Sequence, residues 1–210
     1  MFTLKVANGP LVMIDPVGAS VGYKVAPING VDVVAITHEH SDHNNLALAP
    51  GTPQVLRGLA GNDWAKIDET IKGVRIRTVN VYHDNTQGSA RGKNAVFVIE
   101  ANGLKIVHLG DLGHLLSPEQ VTAIGPVDVL IIPVGGNYTI DPANATQVAN
   151  SLKPSVVIPM HYKTPLATSA LGPVDAFLTD KTVQKVTGNQ ITLTATTLPK
   201  ILTVFVLGYE

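Results

Sequence analysis

The stretch Thr37–His43, "THEHSDH", follows the apolar run "VDVVAI" and is the most informative part of the sequence. It contains three of the chain's 7 histidines and two acids. Residues two apart in an extended segment point to the same side, so His38 and His40 present two imidazoles from one strand end. Asp42 and His43 follow on a turn, and they add a carboxylate and a third imidazole. This concentration of ligand side chains predicts a metal-binding turn.

Three more candidate ligands come directly after later strand-like runs. His83 ends "RIRTVNVYH", Asp111 follows "LKIVHLG" and His161 follows "SVVIPM". The strand ends of a layered α/β fold converge on one edge, where ligand sites commonly form. We therefore expect one metal ion on His38, His40 and His83, a second on Asp42, His43 and His161, and Asp111 as the bridge between them.

The chemistry of this donor set points to hydrolysis. Its nitrogen and oxygen ligands suit Zn²⁺, and they also accept Mn or Fe. A water held between two such ions loses a proton near neutral pH and becomes a nucleophile. The expected cofactors are two divalent metal ions, with Zn preferred, and the expected enzyme is a dinuclear metal-dependent hydrolase.

The composition is that of one globular domain spanning residues 1–210. Hydrophobic residues make up 45% of the chain and charged residues 15%, which predicts a core of substantial size. The 15 Lys and Arg residues balance 16 Asp and Glu, and no basic run suggests nucleic-acid binding. The expected partner is a small-molecule substrate.

Cysteine content and apolar segments limit the available metal ligands and nucleophiles and indicate where the protein is located. The chain has 0 cysteines, so neither thiolate ligands nor a cysteine nucleophile are available. No apolar run approaches the roughly 20 residues of a membrane helix, and the first residues lack a signal-peptide pattern. We expect a cytoplasmic protein without a membrane partner, and a homo-oligomer remains open.

Alternating strand and helix signals predict an α/β fold. Two apolar pairs, "FTLKV" with "LVMID" and "AVFVIE" with "LKIVHL", each flank Ala-Asn-Gly and predict similar hairpins. Helices are expected over "SPEQVTAIG", "DPANATQVANSL" and "GPVDAFLTD". The segments "QITLTATT" and "KILTVFVLG" are expected to form a final strand pair.

The order of the ligand motifs resembles that of a known family. "THEHSDH" is similar to the HxHxDH motif of the metallo-β-lactamase superfamily, and "YH", "GD" and "MHY" resemble its later ligand motifs. "MIDP", "RGKNAVFVIEANG" and "HLGDLGH" most resemble the branch that includes ascorbate-phosphate lactonases and predicted metal-dependent hydrolases. The resemblance implies a four-layer αββα sandwich built from two similar halves. Members of this branch usually begin with an additional Gly-His strand, whereas Met1 here almost directly precedes "FTLKV".

Other polar residues are candidates for catalysis or substrate binding. We expect Asp42, Tyr162 and His114 to be catalytic, with Tyr162 as a donor to a developing oxyanion and His114 as a proton carrier. Solvated or structural roles are equally open for Tyr162 and His114. The loops after His83 and His161 supply the cations Arg91, Lys93 and Lys163, which could bind a substrate phosphate or carboxylate.

The expected reaction is hydrolysis of a small-molecule ester, lactone or phosphoester. An RNA-processing nuclease of the same superfamily is an alternative, but it needs a basic track. A mononuclear iron oxygenase uses a related ligand set and is a second alternative. A non-catalytic binding protein is a third, which the intact ligand set disfavours.

Overall fold

A computed structural model describes residues 1–209 and shows two β-sheets packed face to face. The first sheet has four strands: β1 (Phe2–Lys5), β2 (Leu11–Ile14), β3 (Val33–Ile36) and β4 (Gln54–Arg57). They lie side by side in chain order, with β1 antiparallel to β2 and the others parallel. A two-stranded ribbon follows, consisting of β5 (Leu59–Ala60) and β6 (Asp63–Trp64).

The second sheet has eight strands: β7 (Asp68–Ile71), β8 (Val74–Tyr82), β9 (Lys93–Ala101), β10 (Leu104–His108), β11 (Val129–Pro133), β12 (Val156–Met160), β13 (Thr182–Lys185) and β14 (Thr203–Val206). Their order is β13-β14-β12-β11-β10-β9-β8-β7. Strands β7 to β10 form an antiparallel meander, and β10, β11 and β12 are parallel. One half of the sheet is therefore built from antiparallel neighbours, and the other half from parallel neighbours that need crossover connections.

The inner faces of the two sheets share one apolar core. Val12, Ile14 and Val33 of the first sheet pack with Ile76 and Phe97 of the second, and all five side chains are fully buried. Burial on this scale is the main force that holds the sheets together, at about 25 cal/mol per Å² of apolar surface.

Helices cover the outer face of the eight-stranded sheet. They are α1 (Pro118–Ile124), α2 (Pro142–Leu152) and α3 (Asp175–Leu178). Ser117 caps α1 in a capping box and Asp141 caps α2, each followed by proline, as the sequence predicts. The four-stranded sheet is instead covered by loops and two 3-10 helices, Ala19–Val21 and Leu46–Leu48. The four-layer sandwich is thus confirmed, with one thin outer layer.

The predicted final strand pair is wrong in one member. Residues 190–197 form no strand, because Thr194 and Thr197 bond each other's backbone in a local turn that competes with sheet pairing. Ile191 and Leu193 of this segment instead pack on the inner face of β11 and β12. The partners of β14 are β13 and β12, which both lie earlier in the chain.

The two Asn-Gly hairpins also differ from each other. Asn102 and Gly103 both have positive φ, 48° and 77°, and join β9 to β10 as a two-residue turn. The first hairpin needs five residues, because Lys5 of β1 pairs with Leu11 of β2. Among residues 1–209, no helix has the length and apolar character needed to cross a lipid bilayer.

Candidate metal centre

The candidate ligands lie at the carboxyl ends of four strands from both sheets. Residues 37–43 follow β3, His83 follows β8, Asp111 lies three residues beyond β10 and His161 follows β12. Because β8, β10 and β12 run in the same direction, their ends meet at one edge. The sheet topology thus brings together residues that are more than 120 positions apart in the chain.

Asp111 lies at the centre of the cluster. Its Oδ2 is close to the Nε2 atoms of four imidazoles: 3.2 Å from His83, 3.4 Å from His43, 3.4 Å from His161 and 3.9 Å from His38. Asp111 is buried, and its other oxygen, Oδ1, has no hydrogen-bond partner. One carboxylate therefore contacts histidines from three separate segments.

The described residues contain three overlapping groups of ligand atoms that lie within 4.8 Å of one another. They are His38, His40 and His83; Asp15, His38 and His43; and His43, Asp111 and His161. The first group is the predicted first trio. The third group joins His43 and His161 to Asp111, the predicted bridge, and the Asp42 carboxylate lies 3.6 Å from His43 without belonging to any of these groups.

A second buried carboxylate supports the imidazoles from behind. Asp15 Oδ1 accepts a hydrogen bond from the backbone N–H of Thr37, and Oδ2 accepts one from the Thr37 hydroxyl. The same hydroxyl lies 2.9 Å from His38 Nδ1 and can accept its proton, which leaves Nε2 of His38 free. Asp15 Oδ2 also lies 3.2 Å from His43 Nδ1. Contacts of this kind fix the tautomer and orientation of metal-binding histidines.

The electrostatics of the chain by itself favour charged carboxylates, a neutral His38 and a protonated His43. Burial lowers the pKa of His38 to about 3. Burial also opposes protonation of His43, but the Asp111, Asp15 and Asp42 carboxylates outweigh it and raise the pKa of His43 to about 9. Burial would raise the pKa of Asp111, yet His43, His161 and the other imidazoles hold it well below its usual range.

Unusual backbone geometry places two of these side chains. Asp15 and His161 have φ of 48° and 51°, a left-handed conformation that costs non-glycine residues about 1–3 kcal/mol. Gly135 lies against the turn at His161, where a Cβ would overlap the carbonyl oxygen of His161. Gly113 packs in the same way against the backbone of His83 and Asp84. The ligand turns are therefore held by close backbone contacts.

The donor set fits divalent metal ions. Two buried polar atoms of the cluster, Nε2 of His38 and Oδ1 of Asp111, have no hydrogen-bond partner. Unpaired buried polar atoms are costly, so their concentration at one place calls for a ligand. Imidazole nitrogens and carboxylate oxygens are the ligands that Zn²⁺ and its neighbours take in cysteine-free sites.

The three candidate substrate-binding cations have different surroundings. Lys93 Nζ lies 2.8 Å from Asp63 and 4.2 Å from the centre of the Trp64 ring. Lys163 Nζ donates to the carbonyl oxygens of Ala167 and Ser169 within its own loop. Both lysines are therefore engaged by groups of the protein itself.

The guanidinium of Arg91, by contrast, lies 4.8 Å from the centre of the Tyr138 ring. The Tyr138 ring is in turn 6.5 Å from the His161 ring. Arg91 is therefore one aromatic ring away from a candidate metal ligand.

His114 and Tyr162 have contacts that favour structural roles. His114 Nε2 accepts a hydrogen bond from the backbone N–H of Tyr82, and Nδ1 lies 2.8 Å from the carbonyl oxygen of Leu115. Both ring nitrogens are thus engaged by the backbone. Tyr162 packs against the apolar core beneath the helices, and burial raises the pKa of its hydroxyl above the ordinary value.

Sequence reasoning missed two residues beside the cluster. Asp84 accepts five hydrogen bonds from its own loop: two from the backbone and hydroxyl of Thr86, and one each from the backbones of Gly88, Ala90 and Arg91. An Asp followed by Asn, Thr and Gly is typical of such a turn, so this signal was present in the sequence. Tyr138 follows β11, and applying the strand-end argument to that strand would have pointed to it.

Comparison with known proteins agrees with the fold. The profile of the β-lactamase superfamily domain matches residues 1–161. The chain therefore belongs to the metallo-β-lactamase superfamily.

Similar proteins are described as metal-dependent hydrolases. A UPF0173 metal-dependent hydrolase of Thermococcus onnurineus is 31% identical over 151 residues, which cover 63% of this chain and 67% of that protein. One from Pyrococcus furiosus is 29% identical over 182 residues, covering 76% and 78%. The match to the first thus spans about two thirds of that relative's length.

A crystal structure of a candidate Zn-dependent hydrolase of the superfamily from Thermotoga maritima superposes with a TM-score of 0.75. It has 37% identity and covers 99% of this chain and 94% of that one. These relatives place the chain among the metal-dependent hydrolases of the superfamily.

Proposed function

We propose that this protein is a dinuclear metal-dependent hydrolase of a small-molecule ester, lactone or phosphoester. The observation that carries the proposal is the position of Asp111, whose Oδ2 lies within 3.9 Å of four imidazole nitrogens from three segments. A carboxylate so placed can serve two ions at once, which a site for a single ion does not require. Zn²⁺ is the proposed metal, and the same ligands accept Mn or Fe.

The chain's own residues divide into two ligand groups. His38, His40 and His83 are proposed to hold one ion, and His43, His161 and Asp42 the other, with Asp111 between them. When bound, such a metal pair supplies a hydroxide nucleophile at neutral pH and polarises the bond to be cleaved. Asp15 and Thr37 hold His38 and His43 in the orientation that leaves a ring nitrogen free.

The exposure of the cluster suits a small substrate. His40 is exposed and the Asp42 side chain is 35% exposed, whereas Asp111 and His83 are buried, so the cluster opens to solvent on the side of Asp42. Asp42 is therefore the proposed contact between the cluster and the substrate. The balanced charge of the chain favours a small molecule over nucleic acid as the substrate.

Chelation and metal restoration test this proposal. Protein purified without chelator is assayed on p-nitrophenyl esters, lactones and a phosphodiester, before and after removal of metal. We expect chelation to abolish turnover of at least one class and Zn²⁺ or Mn²⁺ to restore it. An Asp111→Asn variant should stay inactive after metal is restored.

Other outcomes would point to the alternatives. Turnover that survives chelation would contradict the proposal. One bound iron with oxygen consumption would identify an oxygenase, and RNA cleavage whose affinity falls steeply with salt would identify a nuclease.

A further inference from the structure

Arg91 differs from the other arginines of the chain in its partners. The chain has four arginines, and the other three each lie within 4.0 Å of a carboxylate: Arg57 of Glu39, Arg75 of Asp68 and Arg77 of Glu100. Within residues 1–209, no carboxylate lies that close to Arg91. A guanidinium is permanently charged and carries five N–H donors, so Arg91 has unused capacity to bind an anion.

The position of Arg91 is nevertheless well defined. Its backbone N–H donates to Asp84 Oδ2 at 2.6 Å, which ties the residue to the loop that follows His83. Its side chain crosses to the loop after β11, stacks on Tyr138 and donates to the carbonyl oxygen of Asn137 at 3.4 Å. The Asn137 side chain continues to Ala170 at 2.8 Å. Arg91 thus links the loop after β8 to the loop after β11, and Asn137 extends this link to the loop after β12.

We propose that Arg91 binds an anionic group of the substrate, a carboxylate or a phosphate, next to the metal centre. Tyr138 is the positioning residue, because the guanidinium lies over its ring at 4.8 Å and the centre of the ring is 6.5 Å from that of His161. An arginine stacked on an aromatic ring keeps its donor edge free for a planar anion. This inference rests on the proposed function, since the anion belongs to the molecule that is hydrolysed.

The test uses a matched series of p-nitrophenyl esters whose acyl chains end in a methyl group, a carboxylate or a phosphate. The variants are Arg91→Gln, Arg91→Lys, Tyr138→Leu and Tyr138→Phe. The matched control is Arg75→Gln, which removes the same charge at the opposite end of β8, where Arg75 pairs with Asp68.

We expect Arg91→Gln to raise KM for one of the two charged esters about tenfold or more, which is the loss of one charge-assisted hydrogen bond. For Arg91→Gln, kcat on the charged esters should stay within about twofold of the wild-type value, as should both kcat and KM on the neutral ester. Arg91→Lys and Tyr138→Phe should retain most of the affinity, whereas Tyr138→Leu should lose part of it. The ester that responds identifies the anion as a carboxylate or a phosphate.

A second measurement separates this inference from the proposed function. Binding of glutarate and of phenyl phosphate to the metal-free protein is measured by calorimetry for the wild type, Arg91→Gln and Arg75→Gln. If no ester is hydrolysed, the proposed function fails, but weaker anion binding by Arg91→Gln alone still supports a role for Arg91. Equal effects of Arg91→Gln on neutral and charged esters, or unchanged anion binding, would overturn the inference.

Discussion

At the scale of single residues, the cluster depends on how each imidazole is oriented. Asp15 is 1% exposed and contacts three groups that shape the site: the backbone and hydroxyl of Thr37 and the ring of His43. Through the Thr37 hydroxyl it also acts on His38. Asp15 is therefore the residue that couples the orientation of two candidate ligands.

We expect Asp15→Asn to weaken Zn²⁺ binding by about 10- to 100-fold, the usual effect of removing a group that orients a ligand. Asp15 accepts hydrogen bonds on both carboxylate oxygens, from the backbone N–H and from the hydroxyl of Thr37. Asparagine has one acceptor oxygen, so one of these two bonds is lost and the orientation of the Thr37 hydroxyl beside His38 is weakened. The measurement is a competition titration with a chromophoric chelator. Asp68→Asn, which alters an exposed carboxylate paired with Arg75, is the control, and unchanged affinity in Asp15→Asn would contradict the assignment.

Sequence reasoning at this scale reached the residues that follow strands but not the contacts that link them across the fold. His83, Asp111 and His161 could be predicted because each lies at or just beyond the end of an apolar strand. Thr37 lies inside the quoted motif, but its bridge between His38 and Asp15 depends on a contact 22 residues away. The close approach of Asp111 to both His43 and His161 agrees with its predicted role as the bridge, and its distances depend on tertiary packing.

At the scale of elements, loops and turns hold the ligands through backbone contacts. The turn after β11 packs directly on the turn after β12, where Gly135 N–H donates to the carbonyl oxygen of His161 at 3.0 Å. A side chain at position 135 would overlap that oxygen and lie 2.9 Å from Tyr162 Cα. The placement of His161 therefore requires glycine on the neighbouring turn.

We expect Gly135→Ala to lower the free energy of unfolding by about 1–3 kcal/mol, because close-packed backbone must shift. Metal affinity should fall with it, since His161 moves. Urea unfolding of the metal-free protein and Zn²⁺ titration measure the two effects. Gly30→Ala is the control: position 30 has φ of 75° but no atom within 4 Å, so strain should appear there without loss of affinity.

The loop after His83 is organised by one carboxylate. Asp84 is 7% exposed and receives five hydrogen bonds. Burial would raise the pKa of Asp84, but bonds from Thr86, Arg91 and Gly88 hold it below its usual range. The loop that carries Arg91 thus has a fixed shape although most of its side chains are exposed.

Replacement of Asp84 by Asn should loosen this loop, because an amide has one acceptor oxygen where the carboxylate has two. We expect a stability loss of about 1–3 kcal/mol and faster hydrogen exchange at the amides of residues 86–91. Exchange measured by mass spectrometry on Asp84→Asn and Asp68→Asn separates a local from a general effect. Equal exchange in both variants would show that Asp84 does not organise the loop.

At the scale of the whole molecule, strand and helix signals predicted an α/β fold, and the resemblance of the ligand motifs to the metallo-β-lactamase superfamily predicted the two packed sheets. The thin layer over the four-stranded sheet could not be predicted, because its loops bury Val31 and Leu48 without a helical pattern. The course of residues 190–197 was also missed, since local threonine bonds replaced the strand pairing that their alternation favours. Both differences lie outside the candidate metal centre.

We infer that the two sheets assemble a centre for two metal ions around Asp111. The most direct test is the number of metal ions per chain, measured by elemental analysis of protein purified without chelator and then titrated with Zn²⁺. We expect close to two ions per wild-type chain and the loss of both in a folded Asp111→Ala variant. Two ions retained by Asp111→Ala, or no ion taken up by the wild type, would contradict it.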